Sequence, residues 1–365
     1  MALTLSGNSG NTTLDSSNGI TFSDSSNQQY AASPFGLKNR IINGDMRIDQ
    51  RNAGASVTPT STSYVTVDRW RAVADVSSKY SIQQVSDAPT SFNNSLKMTS
   101  LSSYSVGATE VFGTWQAIEG FNSADLAFGT ASAKTVTLSF WVKSSLTGTF
   151  GGSLQNADYT RGYPFTYTIS SANTWEQKTI TIAGDTSGTW VGATNGIGML
   201  AFFSIGAGSS RSNTANVWTG TTYSFSATGA TSVVGTNGAT FYLTGVQLEV
   251  GSTATPFERR LYGNELALCQ RYYQTYSDYD AVGVGKDTTA AFFSYQLRPQ
   301  MRAVPTSTFT CANVDRFGTA FTATTAAAVL DSRQNQVTTY ATVTMSGRGE
   351  PCGPAGSLLK ISAEL

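Results

Sequence analysis

Residues 135–144 read TVTLSFWVKS, and their alternation decides the fold class. Val136, Leu138, Phe140 and Val142 fall on one face of an extended chain. Thr135, Thr137, Ser139, Trp141 and Lys143 fall on the other. A period of two in β-favouring residues specifies a strand with one face toward a core. KTITIAGD (178–185) repeats the pattern through Ile180 and Ile182 and stops at Gly184-Asp185. FYLTGVQLEV (241–250) is a third strand whose alternation changes phase at Gly245. Phe241 and Leu243 occupy odd positions, and Val246, Leu248 and Val250 even ones. One extra residue at Gly245 restores the phase, so a β-bulge is expected there. Many short strands with Gly, Ser and Asn turns predict a sandwich or jelly roll over residues 39–260.

Outward from this region the composition shifts. Residues 1–38 are a low-complexity Ser/Asn/Gly stretch with only spaced apolar residues, among them Leu3, Leu5, Leu14, Ile20 and Phe22. Such a segment cannot build a core alone. Three copies wrapped together would bury those residues, so it reads as an extended assembly arm. NELALCQRYYQTY (264–276) is the one convincing helical pattern, with Asn264 as cap and Leu268, Cys269, Tyr272 and Tyr276 on one side. A linking helix is therefore expected over 261–276. Beyond it, AVGVGKD, AAFFSYQLRP, STFTCAN, TTYATVTMSG and LLKISAEL read as strands of a smaller C-terminal β-sandwich, 277–365. No fixed period runs through the chain, which argues against a β-helix or solenoid.

Composition narrows the function classes. The 365 residues carry 23 Lys+Arg against 23 Asp+Glu, and charged residues make up only 13%. An ordinary soluble domain has about 25%. A neutral, charge-poor chain lacks the basic field that nucleic-acid binding requires. No apolar run is long enough for a membrane span. With no histidine in the sequence, Ser-His-Asp and Cys-His sites and His-ligated metals are excluded. Cys269, Cys311 and Cys352 are too few for a disulfide framework, and packed thiols are expected, with a Cys311–Cys352 bridge as the alternative.

Catalysis without histidine would need a carboxylate pair. Asp45 with Asp49, Glu110 with Glu119, and Asp278 with Asp280 are the candidates, and each has a plain turn or strand-end reading. No catalytic residue, metal ligand or cofactor is assigned. Sugar recognition needs no special motif: pyranose faces stack on aromatic rings, and hydroxyls bond to amides and carboxylates. QNADYTRGYPFTY (155–167) offers Tyr159 and Tyr163 beside Asn156 and Asp158, and TSGTWVGATN (186–195) offers Trp190. The alternative reading places these rings in the core or in a subunit interface.

Several stretches, in order, resemble a known family. They are NGITFSDSSNQQ (18–29), NRIINGDMRIDQRNAG (39–54), VDRW (67–70), QAIEG (116–120), TLSFWVKSS (137–145), TGVQLEVGSTATPFERR (244–260), ELALCQRYYQ (265–274), QMRAVPTSTF (300–309) and ISAEL (361–365). Together they are similar to bacteriophage tail-fibre or receptor-binding proteins with a jelly-roll, carbohydrate-binding-module-like domain. Ser25-Ser26 depart from that pattern, which has Gly-Thr.

The resemblance implies a homotrimeric, non-enzymatic structural protein of the virion tail. Residues 1–38 would attach to other tail proteins, and the β-domains would bind host surface polysaccharide or lipopolysaccharide. A polysaccharide-cleaving tailspike and a purely structural virion adaptor or decoration protein are the alternatives. In the modules it resembles, a structural calcium is held by acidic residues at positions that are Arg47, Thr244 and Gly245 here. A cation is thus not expected, and Glu249 is expected to pair with Arg47.

Overall fold

The computed structural model describes residues 20–21, 27–28, 38–278, 280–281, 283–316, 319–324, 326–343 and 351–365. The chain divides into two compact units, Met1–Lys38 and Asn39–Leu365. In the first, β1 (Ile20–Thr21) pairs antiparallel with β2 (Asn27–Gln28). The rest of the expected attachment and trimerisation arm, up to residue 37, lies outside the described residues.

The second unit is almost entirely β. Its first part contains β3 (Arg71–Ala74), β4 (Tyr80–Val85), β5 (Ser95–Ser100), β6 (Val111–Glu119), β7 (Val136–Ser144) and β8 (Gly148–Gln155). These are followed by β9 (Gly162–Ile169), β10 (Glu176–Ile182), β11 (Ile197–Ala207), β12 (Ser212–Asn213), β13 (Ser226–Ala227) and β14 (Thr240–Val250). Two five-stranded sheets, β10-β7-β14-β5-β4 and β3-β6-β11-β8-β9, face each other as a jelly-roll sandwich. Val136, Leu138, Phe140 and Val142 point into the space between them and are fully buried. Phe140 meets Phe203 and Tyr167 edge-on, each at 5.0 Å between ring centroids, so aromatic packing joins the sheets.

The expected polar face of β7 is also covered. Thr137 donates to the Gly251 carbonyl at 2.7 Å, and Lys143 pairs with Asp87 while lying over the Tyr242 ring. Thr137 and Lys143 are buried there because each has a partner. The phase change in β14 is a bulge: the register against β7 shifts between Thr244 and Gln247. Gly245 sits at φ +60°, and a Cβ there would meet the Phe92 ring at 2.8 Å.

The helix is shorter than its apolar spacing predicts. α1 spans Tyr262–Gln270, starts at Leu261 without a side-chain cap, and places Asn264 inside its first turn. Tyr273–Tyr276 is instead a strand, β15. Two tyrosines and a threonine favour an extended chain, and a waiting strand edge supplies the ladder bonds. Cys269 and Tyr272 do share a buried side, packing with Ile42 and Ile48.

The C-terminal part contains β16 (Gly283–Gly285), β17 (Ala290–Gln296), β18 (Thr306–Arg316), β19 (Thr319–Ala323), β20 (Ala326–Ser332), β21 (Gln336–Thr342) and β22 (Pro351–Ser362). With β15 they form one eight-stranded sheet, ordered β19-β18-β22-β16-β17-β21-β20, in which β15 also pairs β22. Ser332 of β20 donates to Ser307 of β18 at 3.0 Å, so the sheet folds over onto itself. Phe293, Tyr295, Phe309, Leu359 and Ile361 fill the enclosed core. Cys269 and Cys352 are buried and Cys311 is half-buried. Cys311 sits opposite Ser357 and Cys352 opposite Gly283, so the ladder register keeps the two thiols on different partners.

The two sandwiches share a polar junction. Glu364 pairs with Arg51 at 2.6 Å and with the fully buried Arg69. Arg69 also donates to the Ala117 carbonyl at 2.6 Å and lies 3.4 Å over the Tyr272 ring. Arg271 reaches Glu119 at 3.1 Å, and Arg302 donates to the Asn195 carbonyl at 2.7 Å.

Candidate functional site

Strand β6 is buried on both faces. Phe112 and Ile118 enter the sandwich core, while Val111, Trp115 and Ala117 point away from it. Their neighbours on β11, Leu200 and Phe202, extend this outer apolar surface. Residues 211–228 cross over it. Phe225 lands on Phe202 at 5.3 Å and near Trp115 at 6.3 Å. What remains open is a cavity of about 190 Å³, lined by Thr62, Val73, Asp75, Val111, Trp115, Tyr159, Arg211, Tyr223 and Phe225.

Two turns build its rim. Tyr159, at φ +57°, follows β8, and Tyr223, at φ +60°, precedes β13. The Tyr223 amide donates to the Tyr159 carbonyl at 3.0 Å, which locks the turns together. The rings then stack: Trp115 to Tyr159 at 5.9 Å and 17°, and Tyr159 to Tyr223 at 5.5 Å and 27°. Left-handed backbone at two tyrosines costs on the order of 1–3 kcal/mol each, so the surroundings hold it in place. Burial pushes the Tyr159 hydroxyl above its ordinary pKa, opposed by the nearby Arg71 guanidinium. It is therefore an uncharged donor and acceptor at neutral pH. Arg71 lies 5.4 Å over Trp115, and Arg211 lies 4.6 Å over Tyr223.

The residues singled out from sequence do not converge on one site. Tyr159 is at this cavity. Asp158 is exposed beside it, at the tip of the turn. Asn156 is buried and organises that turn: its side chain accepts from the Arg161 amide at 3.0 Å and donates to Thr160 and the Thr189 carbonyl. Tyr163 faces the sandwich core, 8% exposed, against Trp218 at 5.2 Å. Trp190 lines a different cavity of about 280 Å³ with Phe128, Met199 and Gly192. It packs edge-on to Phe128 at 4.9 Å and is anchored by its Nε1–H to Asp185 at 3.3 Å. Asp185 in turn takes both arms of Arg161 at 2.7 Å, so this loop is a braced element.

Trp115, Tyr223, Phe225, Arg71 and Arg211 escaped the sequence reading. Trp115 is hidden by a strand whose two faces are equally apolar, which alternation cannot sort. The one signal was that VFGTWQAIE (111–119) has more apolar residues than a half-exposed strand requires.

The carboxylate pairs weighed for catalysis all serve local structure. Asp45 pairs with Arg47 at 3.2 Å, and Asp49 accepts from the amides of Arg51, Asn52 and Gly54. Glu110 binds Tyr104 and the Gly107 amide, and Glu119 binds Arg271. Asp278 accepts from Ser357, and Asp280 from Ser277. Among the described residues no cluster of three or more acidic or cysteine side chains is placed to hold a metal. Glu249 does not reach Arg47 as expected. It binds Thr255 and Gln247, while Arg47 turns to Asp45 and the Arg260 carbonyl. Among the described residues no helix is long and apolar enough to cross a membrane.

No protein-family model matches the sequence, and no curated protein matches it. Solved structures align with part of this chain at low identity. The enzymatically active domain of tailspike protein 4 of bacteriophage CBA120 aligns with 60% of this chain at 12% identity and a TM-score of 0.31. This chain spans only 22% of that one. The CBM22-1 xylan-binding domain of Paenibacillus barcinonensis Xyn10C aligns with 56% of this chain and 99% of its own, at 12% identity and a TM-score of 0.26. The family 11 carbohydrate-binding module of Clostridium thermocellum Lic26A-Cel5E aligns with 55% of this chain and 98% of its own, at 13% identity and a TM-score of 0.28. The functional reading therefore rests on the geometry of the site itself.

Proposed function

We propose that this chain is a non-enzymatic tail-fibre protein of a bacteriophage that binds glycan on the host surface through its central sandwich. The observation that carries the glycan part is the cavity over Trp115. It combines an apolar floor of Val73, Val111, Trp115 and Phe225 with a rim of tyrosine hydroxyls, Asp75 and Arg211. Apolar sugar faces pack on such a floor, and sugar hydroxyls need such a rim. At about 190 Å³ the space is below the roughly 300–1,000 Å³ of drug-sized pockets, so it suits one sugar unit of a longer chain. A weak single site is enough for a fibre present in several copies, since linked sites raise avidity by about 10²–10⁴.

The ordered tail-fibre-like motifs support a virion location, with residues 1–38 as the attachment arm and a homotrimer as the assembly. A non-catalytic role is supported by the engagement of every candidate carboxylate in local structure. Tyr223→Ala tests the site. The wild-type protein should bind immobilised bacterial polysaccharides saturably, and Tyr223→Ala should weaken that binding at least about tenfold. No binding by the wild type, or equal binding by the variant, contradicts the proposal. Release of reducing ends from those polysaccharides would instead favour a depolymerase.

A further inference from the structure

We infer that the cavity over Trp115 is built for a sugar carrying a carboxylate, such as a uronate or a sialic acid. This rests on the glycan reading above and narrows it. The argument starts from the arginines. Arg47, Arg51, Arg69, Arg161, Arg260 and Arg271 each face a carboxylate of this chain. Among the described residues Arg71 and Arg211 do not; Arg211 lines this cavity, and Arg71 lies 5.4 Å over the Trp115 ring that forms its floor. Arg211 uses Nε on the Thr109 carbonyl at 2.7 Å and stacks on Tyr223, and its terminal nitrogens make no hydrogen bond among the described residues. Arg71 stacks near Trp115 and Tyr64, and its one hydrogen bond is a long 3.5 Å contact to the Thr62 carbonyl.

Among the described residues Asp75 is the one carboxylate lining the cavity, and it already accepts from the Val111 amide at 3.0 Å. One guanidinium in the lining and a second against the floor thus accompany one engaged acid, in a chain of zero formal net charge. Unmet donors add to this. The buried Nε of Arg71 and Nε1 of Trp115 have no acceptor among the described residues. A ligand that complements the site must bring acceptors and negative charge. The guanidinium fork suits a planar carboxylate, which it binds through two parallel hydrogen bonds. The aromatic floor distinguishes a sugar acid from a simple anion.

The test uses the full-length protein and matched oligosaccharides containing galacturonate, glucuronate or N-acetylneuraminate, each beside its carboxyl methyl ester and a neutral analogue. Titration calorimetry should show at least one acid bound about tenfold or more tighter than its ester, the scale of a charge-assisted hydrogen bond. That preference should shrink as salt rises. Arg211→Met, checked for folding by near-ultraviolet circular dichroism, should remove most of the preference, and Arg211→Lys should restore part of it. Esters or neutral sugars bound as well as the acids overturn this inference and leave the glycan reading standing. No binding by any member overturns both.

Discussion

Arg69 has almost no contact with water, and its charge is held by Glu364, the Ala117 carbonyl and the Tyr272 ring. Removing one partner of such a buried pair leaves an uncompensated charge and costs about 3–5 kcal/mol. Glu364→Gln should lower unfolding stability by that amount in urea titration; a cost under about 1 kcal/mol would show that the carbonyl and ring suffice. Close by, burial pushes Asp68 up to about 7, against the lowering effects of Gln50 and Arg51. The folded state then holds a proton that the unfolded chain releases near pH 4. Stability from this group is complete below about pH 4 and is lost as pH rises toward 7, by up to about 1.4 kcal/mol per unit. Burial raises Asp45 and Glu265 in the same direction. The melting temperature should be higher at pH 5 than at pH 8, and Asp68→Asn should narrow that difference. An unchanged difference would remove Asp68 from the account.

At the scale of elements, pattern and structure agree where a single face is buried and part where context intervenes. The strands of residues 135–144, 178–185 and 241–250 and the bulge at Gly245 were legible, because alternation against a core leaves a residue-by-residue trace. The end of α1 was not. Helical spacing continues through Tyr272 and Tyr276, but the edge of β22 captures Tyr273–Tyr276. Strands β19 and β20 also escaped, their Ala/Thr-rich sequences having little alternation to read. The candidate site was half visible. Tyr159 sits in a polar, aromatic-bearing loop, whereas Trp115 sits in a doubly buried strand and Tyr223 in a short crossing segment. Gly245 gives the prediction at this scale. Gly245→Val places a branched side chain at φ +60° against Phe92 and Trp141, so it should destabilise by at least about 2 kcal/mol. Thermal melts comparing it with Gly245→Ala, which should cost less, check this.

For the whole molecule, the division at Lys38/Asn39 separates two compact units, Met1–Lys38 and Asn39–Leu365. A chain beginning at Asn39 should melt within a few degrees of the full-length protein, since core and junction lie within Asn39–Leu365. A large drop would make the first 38 residues part of the fold. The central claim is that the cavity over Trp115 holds glycan. The protein has six tryptophans, giving six indole N–H signals in a nitrogen-proton spectrum. Titrating a bound oligosaccharide into the labelled 39–365 chain tests the claim most directly. The Trp115 signal should move saturably and far more than the other five. Movement centred on Trp190, or at none of the six, would contradict it.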